Sequence, residues 1–105
     1  MYVVSESPKI KAGYAGGSLT LDCSLNTTDI EWSELVNQLH RDPLVIYTKS
    51  NGLNQRHPNV ANFDVDQNQT LTISNSARSD TGEYTCKNRE DSITYEVNIC
   101  GKYHD

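Results

Sequence analysis

The chain has 105 residues, enough for one domain around one core, and a formal net charge of −5 with both signs scattered along it. That balance disfavours nucleic acid and anionic membrane surfaces as partners. No apolar run is long enough to span a membrane, so any membrane attachment would have to come from a segment outside this chain.

In chain order, Tyr2 to Ile10 reads as an opening edge strand broken near Pro8, which cannot donate to a ladder. Gly13 to Gly17 reads as a turn. Ser18 to Ser24 is the first core strand: Leu19, Leu21 and Cys23 alternate with Thr20 and Asp22. Leu25 to Asp29 is a loop. Ile30 and Trp32 share the inward side of the next strand. Glu34 to His40 fits either a helical turn, with Leu35 and Leu39 on one face, or a strand end and hairpin loop; the hairpin is the favoured expectation.

Pro43 to Tyr47 is the fourth strand and Ser50-Asn51-Gly52 a turn. Leu53 to Pro58 is polar and irregular. Val60, Phe63 and Val65 are the apolar marks before the turn at Asp66-Gln67-Asn68-Gln69. Strands follow at Thr70 to Ser74, Gly82 to Lys87 and Ile93 to Ile99, with a corner at Asp80-Thr81-Gly82. Short alternating strands at regular spacing predict a β-sandwich, without internal repeats or a second domain.

Cys23 is followed nine positions later by Trp32, and Asp80-x-Gly82-x-Tyr84-x-Cys86 comes near the end. This order and spacing resembles the immunoglobulin superfamily, from Gly16 to Ile99. The resemblance implies an all-β, immunoglobulin-like Greek-key sandwich of two antiparallel sheets with seven to nine strands. More than one strand fits between Trp32 and Leu71, which favours the variable type over the shorter constant type. Residues 1–100 would form the domain and 101–105 the start of a stalk or linker.

By the same resemblance, Cys23 and Cys86 bridge the sheets, Trp32 packs on the bridge and the Tyr84 hydroxyl bonds back to backbone. Such a bridge implies an oxidising compartment and would contribute roughly 4 kcal/mol by restricting the unfolded chain. Metal binding by these cysteines is the alternative, and no second cysteine or histidine stands near either at zinc spacing. Asp80 is similar to the family's corner aspartate. It would either pair with an arginine, the nearest being Arg56, or only cap the Thr81-Gly82 turn.

His40, His57 and His104 lie apart, and neither the hydrolase, metalloprotease nor phosphate-loop motif occurs, so catalysis, metals and cofactors are not expected. Asn26-Thr27-Thr28 and Asn68-Gln69-Thr70 fit the N-glycosylation pattern. Cys100 has no partner within the implied bridge. It is a candidate for an interchain disulfide, for pairing with a cysteine elsewhere, or for a free thiol.

The family's usual binding sheet would carry Glu31, Ser33, Tyr47, Lys49, Thr85, Lys87, Thr94 and Glu96 outward, under the turn Asn88 to Ser92. The ligand-binding candidates are Tyr47, Lys49, Lys87, Arg89, Glu90 and Asp91, because tyrosine and arginine often dominate interfaces. Thr94-Tyr95-Glu96-Val97 lacks the Phe-Gly-x-Gly of antibody-like chains, so antibody-like pairing is not expected.

The N-terminus, Met1 to Glu6, lacks the basic start and apolar middle of a secretion leader, so the sequence reads as a piece of a longer surface or secreted protein. The expectation is an extracellular recognition domain of an immune-type receptor or adhesion molecule. Its partner would be a protein ligand or co-receptor, in a homodimer or a heterodimer. The alternatives are an assembly or signalling subunit linked through Cys100, and a secreted decoy or innate recognition protein.

Overall fold

In a computed structural model, residues 8–25, 29–36 and 42–101 are described. Alternation of apolar and polar residues produces nine strands there: β1 (Lys9–Tyr14), β2 (Leu19–Leu21), β3 (Ile30–Leu35), β4 (Leu44–Ser50), β5 (Leu53–Arg56), β6 (Phe63–Val65), β7 (Leu71–Ile73), β8 (Gly82–Lys87) and β9 (Ser92–Cys100). One 3-10 turn, Arg78–Asp80, precedes β8. The six-stranded front sheet has the order β1-β9-β8-β3-β4-β5, and the three-stranded back sheet the order β2-β7-β6.

The inward faces meet in one core. Trp32, Leu21, Leu71 and Cys86 are fully buried, and Tyr84, Ile73 and Val97 nearly so. Cys23 and Cys86 form the bridge between the sheets, with Cα atoms 6.0 Å apart. Trp32 is the direct cross-strand neighbour of Cys86 and stacks on Tyr95, with ring centroids 6.5 Å apart. Its indole N–H donates to the Gln69 carbonyl at 3.1 Å, so the polar edge of this core residue is satisfied from the back-sheet side. The Tyr84 hydroxyl donates to the Asp80 carbonyl at 2.7 Å, which fixes the corner before β8.

Three elements differ from the sequence reading. Strand β1 runs through Gly13 and Tyr14, where a turn was expected, because β9 supplies a parallel ladder along its whole length. That parallel pair also makes the front sheet mixed rather than wholly antiparallel. Leu53 to Arg56 is a strand although all four residues are exposed. Asn51 and Gly52, both at positive φ, make a two-residue hairpin that returns the chain onto β4. Finally, Leu35 extends β3, while the hairpin expected after it falls largely on residues 37–41, outside the described residues.

Candidate recognition face

The outward side of the front sheet is built by strand alternation. Its centre carries short polar side chains. Ser33 and Thr85 face each other across β3 and β8, and the Thr85 and Thr94 hydroxyls are 3.0 Å apart across β8 and β9. On one side of this strip Lys87 reaches Glu31 at 3.5 Å. On the other, Glu83 and Glu96 stand directly opposite each other on β8 and β9. Apolar side chains flank the face: Ile10 on β1 is 72% exposed and Leu53 on β5 is 71% exposed.

Tyr47 is a correction to the sequence reading. Expected outward as a ligand contact, it lies in the core with 7% of its surface exposed. The cause is a one-residue bulge: Trp32 pairs with Tyr47 but Ser33 pairs with Val45, so Ile46 is the extra residue. Ile46 and Tyr47 are both buried. Beyond the bulge the parity of β4 is reversed. Lys49, also expected outward, pairs with buried Ile30 on the inward side at the sandwich end, and Thr48 takes the outward position beside Glu31. Ser33 has the expected outward parity but is 6% exposed, being short and central in a wide sheet.

Lys87, Arg89, Glu90 and Asp91 are exposed and lie together at the β8–β9 turn. Asn88 holds this turn. Its Oδ1 accepts the backbone N–H groups of Glu90 at 2.8 Å and Asp91 at 2.7 Å, and its own N–H donates to the Asp91 carbonyl.

Among the described residues, no arginine pairs with Asp80. Its carboxylate accepts from Asn62 Nδ2 at 3.0 Å and from the Ala77 N–H at 2.8 Å. Arg56 instead crosses to the back sheet, bonding Asp64 at 3.2 Å and the Phe63 carbonyl at 2.6 Å. Glu34, inward beside Tyr84, has a raised carboxyl pKa, through burial first and the nearby Asp80 charge second. Burial also pushes the Tyr84, Tyr95 and Tyr47 phenols up. Asn68 is exposed on the β6–β7 turn, whereas Asn26 lies outside the described residues. Cys100 is exposed at the end of β9, opposite Tyr14 of β1.

A family model for the immunoglobulin V-set domain matches residues 6–99. The chain belongs to the immunoglobulin V-set family. No curated protein matches the sequence. Solved V-type ectodomains share the fold. The extracellular domain of the voltage-gated sodium channel beta4 subunit, described as a parallel homodimer in cell–cell adhesion, superposes with a TM-score of 0.73 at 19% identity, over 100% of this chain and 95% of that one. Human T-cell immunoglobulin and mucin domain protein 1 gives 0.69 at 24% identity, over 89% and 98%. The CD2-binding domain of CD58 gives 0.69 at 18% identity, over 89% of this chain and 54% of that one. At these identities the likeness carries the fold alone.

Within this V-set domain, the sequence signal did mark the bridge, the tryptophan, the tyrosine corner and the β8–β9 turn. It missed Ile10, Thr48 and Leu53 as outward residues. Ile10 follows a proline that suggests a break, Thr48 depends on the bulge, and Leu53 sits in a strand without an alternating pattern.

Proposed function

We propose that this V-set domain is an extracellular recognition module that binds another protein through the outward side of its front sheet and the β8–β9 turn, without performing chemistry. The observation that carries this reading is the face itself: a strip of Thr48, Thr85 and Thr94 between exposed Ile10 and Leu53, with charged side chains above and below. Short side chains let a partner approach the sheet closely, and their hydroxyls exchange bonds to water for bonds to the partner. Such an interface is polar, wet and of modest affinity. The likeness to adhesion and receptor ectodomains supports the same reading.

Glu83 and Glu96 bear on the partner's charge. Two copies laid face to face with these carboxylates opposite one another would repel. A different protein offering lysine or arginine at that position fits better.

The test is a multivalent form of the intact ectodomain, used to capture partners from cell surfaces. Thr85→Arg and Lys87→Glu should abolish capture, whereas Thr20→Arg, on the outer side of the back sheet, should leave it unchanged. Loss on the back-sheet substitution with retention on both front-sheet ones would overturn the reading.

A further inference from the structure

Two Asn-x-Thr triplets occur in the chain, headed by Asn26 and Asn68, and the second lies among the described residues. Asn68 sits in the turn between β6 and β7 and is exposed. Other atoms hold that turn. The Asp66 carboxylate accepts the backbone N–H groups of Asn68 at 2.8 Å and Thr70 at 3.0 Å, and the Gln69 N–H donates to the Asp66 carbonyl at 2.9 Å. The Gln69 carbonyl receives the Trp32 indole N–H, and the Thr70 hydroxyl donates to Asp22 at 3.2 Å. The fold thus uses the Asn68 main chain and leaves its carboxamide at the surface. Asn62 and Asn88 are the contrast: their carboxamides are hydrogen-bonded within the fold, and neither heads such a triplet.

We propose that Asn68 is an N-glycosylation site. The proposal rests on the extracellular reading, since the modification belongs to the secretory route. The donor is an oligosaccharide linked to a lipid pyrophosphate. The Asn68 amide nitrogen loses one proton and bonds to the anomeric carbon. The bond from that carbon to the phosphate oxygen breaks, and the lipid pyrophosphate leaves with the electron pair. Nothing is oxidised or reduced. The triplet is read on the unfolded chain as it enters the compartment, and Gln69 at its centre satisfies the requirement for a residue other than proline.

The position decides what the sugar covers. The β6–β7 turn joins two back-sheet strands and touches Asp22, just past β2. Its sugar is therefore anchored on the back-sheet side, at the end where the segment joining β2 to β3 leaves the sandwich. None of the outward front-sheet residues heads an Asn-x-Ser or Asn-x-Thr triplet. The end that carries Asn68 also carries the β8–β9 turn, because Glu31 near the start of β3 pairs with Lys87 at the end of β8, so the glycan flanks that turn from the back-sheet side.

The test expresses the chain behind a secretion leader in mammalian cells, with Asn26→Gln in every variant so that one site is read. The secreted protein is mapped by peptide mass spectrometry before and after peptide N-glycosidase. The Asn68 peptide should carry a glycan and become aspartate on treatment. Asn68→Gln and Thr70→Ala should each lose one glycan-sized step on a gel, and Thr70→Ser should keep it. Secreted, disulfide-bonded protein with Asn68 unmodified overturns the proposal, as does a step that persists in Thr70→Ala. Neither result touches the recognition reading, which stands or falls on the front-sheet substitutions.

Discussion

Arg56 lies across the ring of Phe63, its guanidinium carbon 4.3 Å from the ring centroid. Arg56 ends β5 at the edge of the front sheet and Phe63 begins β6 at the edge of the back sheet. The pair therefore closes one open side of the sandwich.

That clamp is expected to stabilise through stacking and the bond to the Phe63 carbonyl rather than through its ion pair. Asp64 is 80% exposed, and pairs so open to water contribute little. Arg56→Ala should cost about 1–2 kcal/mol, and Asp64→Ala under about 0.5 kcal/mol. Arg56→Lys should recover only part of the loss, because an ammonium lacks the planar stacking surface. Urea unfolding of the three variants checks this; equal losses for Arg56→Ala and Asp64→Ala would contradict it.

Tyr84 should govern part of the alkaline limit. Its phenol has an ordinary pKa of 10.0, and burial, with Glu34 and Asp80 nearby, pushes it well above that. Above pH 10 the unfolded chain releases this proton and the folded one keeps it, so stability falls as pH rises. The slope from one such group is at most about 1.4 kcal/mol per pH unit. Tyr84→Phe should lose about 1 kcal/mol at neutral pH with its hydrogen bond, and should decline less steeply above pH 10. Parallel declines in the two proteins would show that Tyr84 is not the titrating group.

Glu34 runs the same way in the acid range. Its folded pKa lies above 4.5, so its contribution is most favourable below that value and is lost as pH rises through the folded pKa. Glu34→Gln keeps the shape and removes the charge. It should raise the thermal midpoint at pH 7, and that advantage should vanish near pH 4. A gain of equal size at both pH values would point to packing instead of charge.

Three cysteines should give one reactive thiol. Cys23 and Cys86 are bonded to each other and buried, and Cys100 is exposed. Thiol titration of the folded monomer should find one group per chain, and the same number in denaturant without reductant. Cys100→Ser should bring both readings to zero.

Legibility in the sequence followed how local each cause was. Cys23, Trp32, Tyr84 and Cys86 announce themselves because alternation and short spacing put all four on the inward side. Tyr47 and Lys49 did not, because one extra residue at Ile46 reverses a strand and leaves no compositional trace. Arg56 was weighed as a partner for Asp80; the fold brings it to Phe63, a pairing that arises only once the two sheet edges meet. Asn62, which does reach Asp80, is 18 residues away, between Ala61 and Phe63, with no motif to mark it.

Trp32 is the chain's one tryptophan, is fully buried and lies beside Cys86 of the bridge. A disulfide next to an excited indole accepts its electron and quenches its emission. The native domain should therefore be dim and blue, and should brighten on reduction or unfolding. The same neighbour relation that fills the core gives this domain an intrinsic optical gauge of its own redox state, with no added dye and no second indole to confuse the signal.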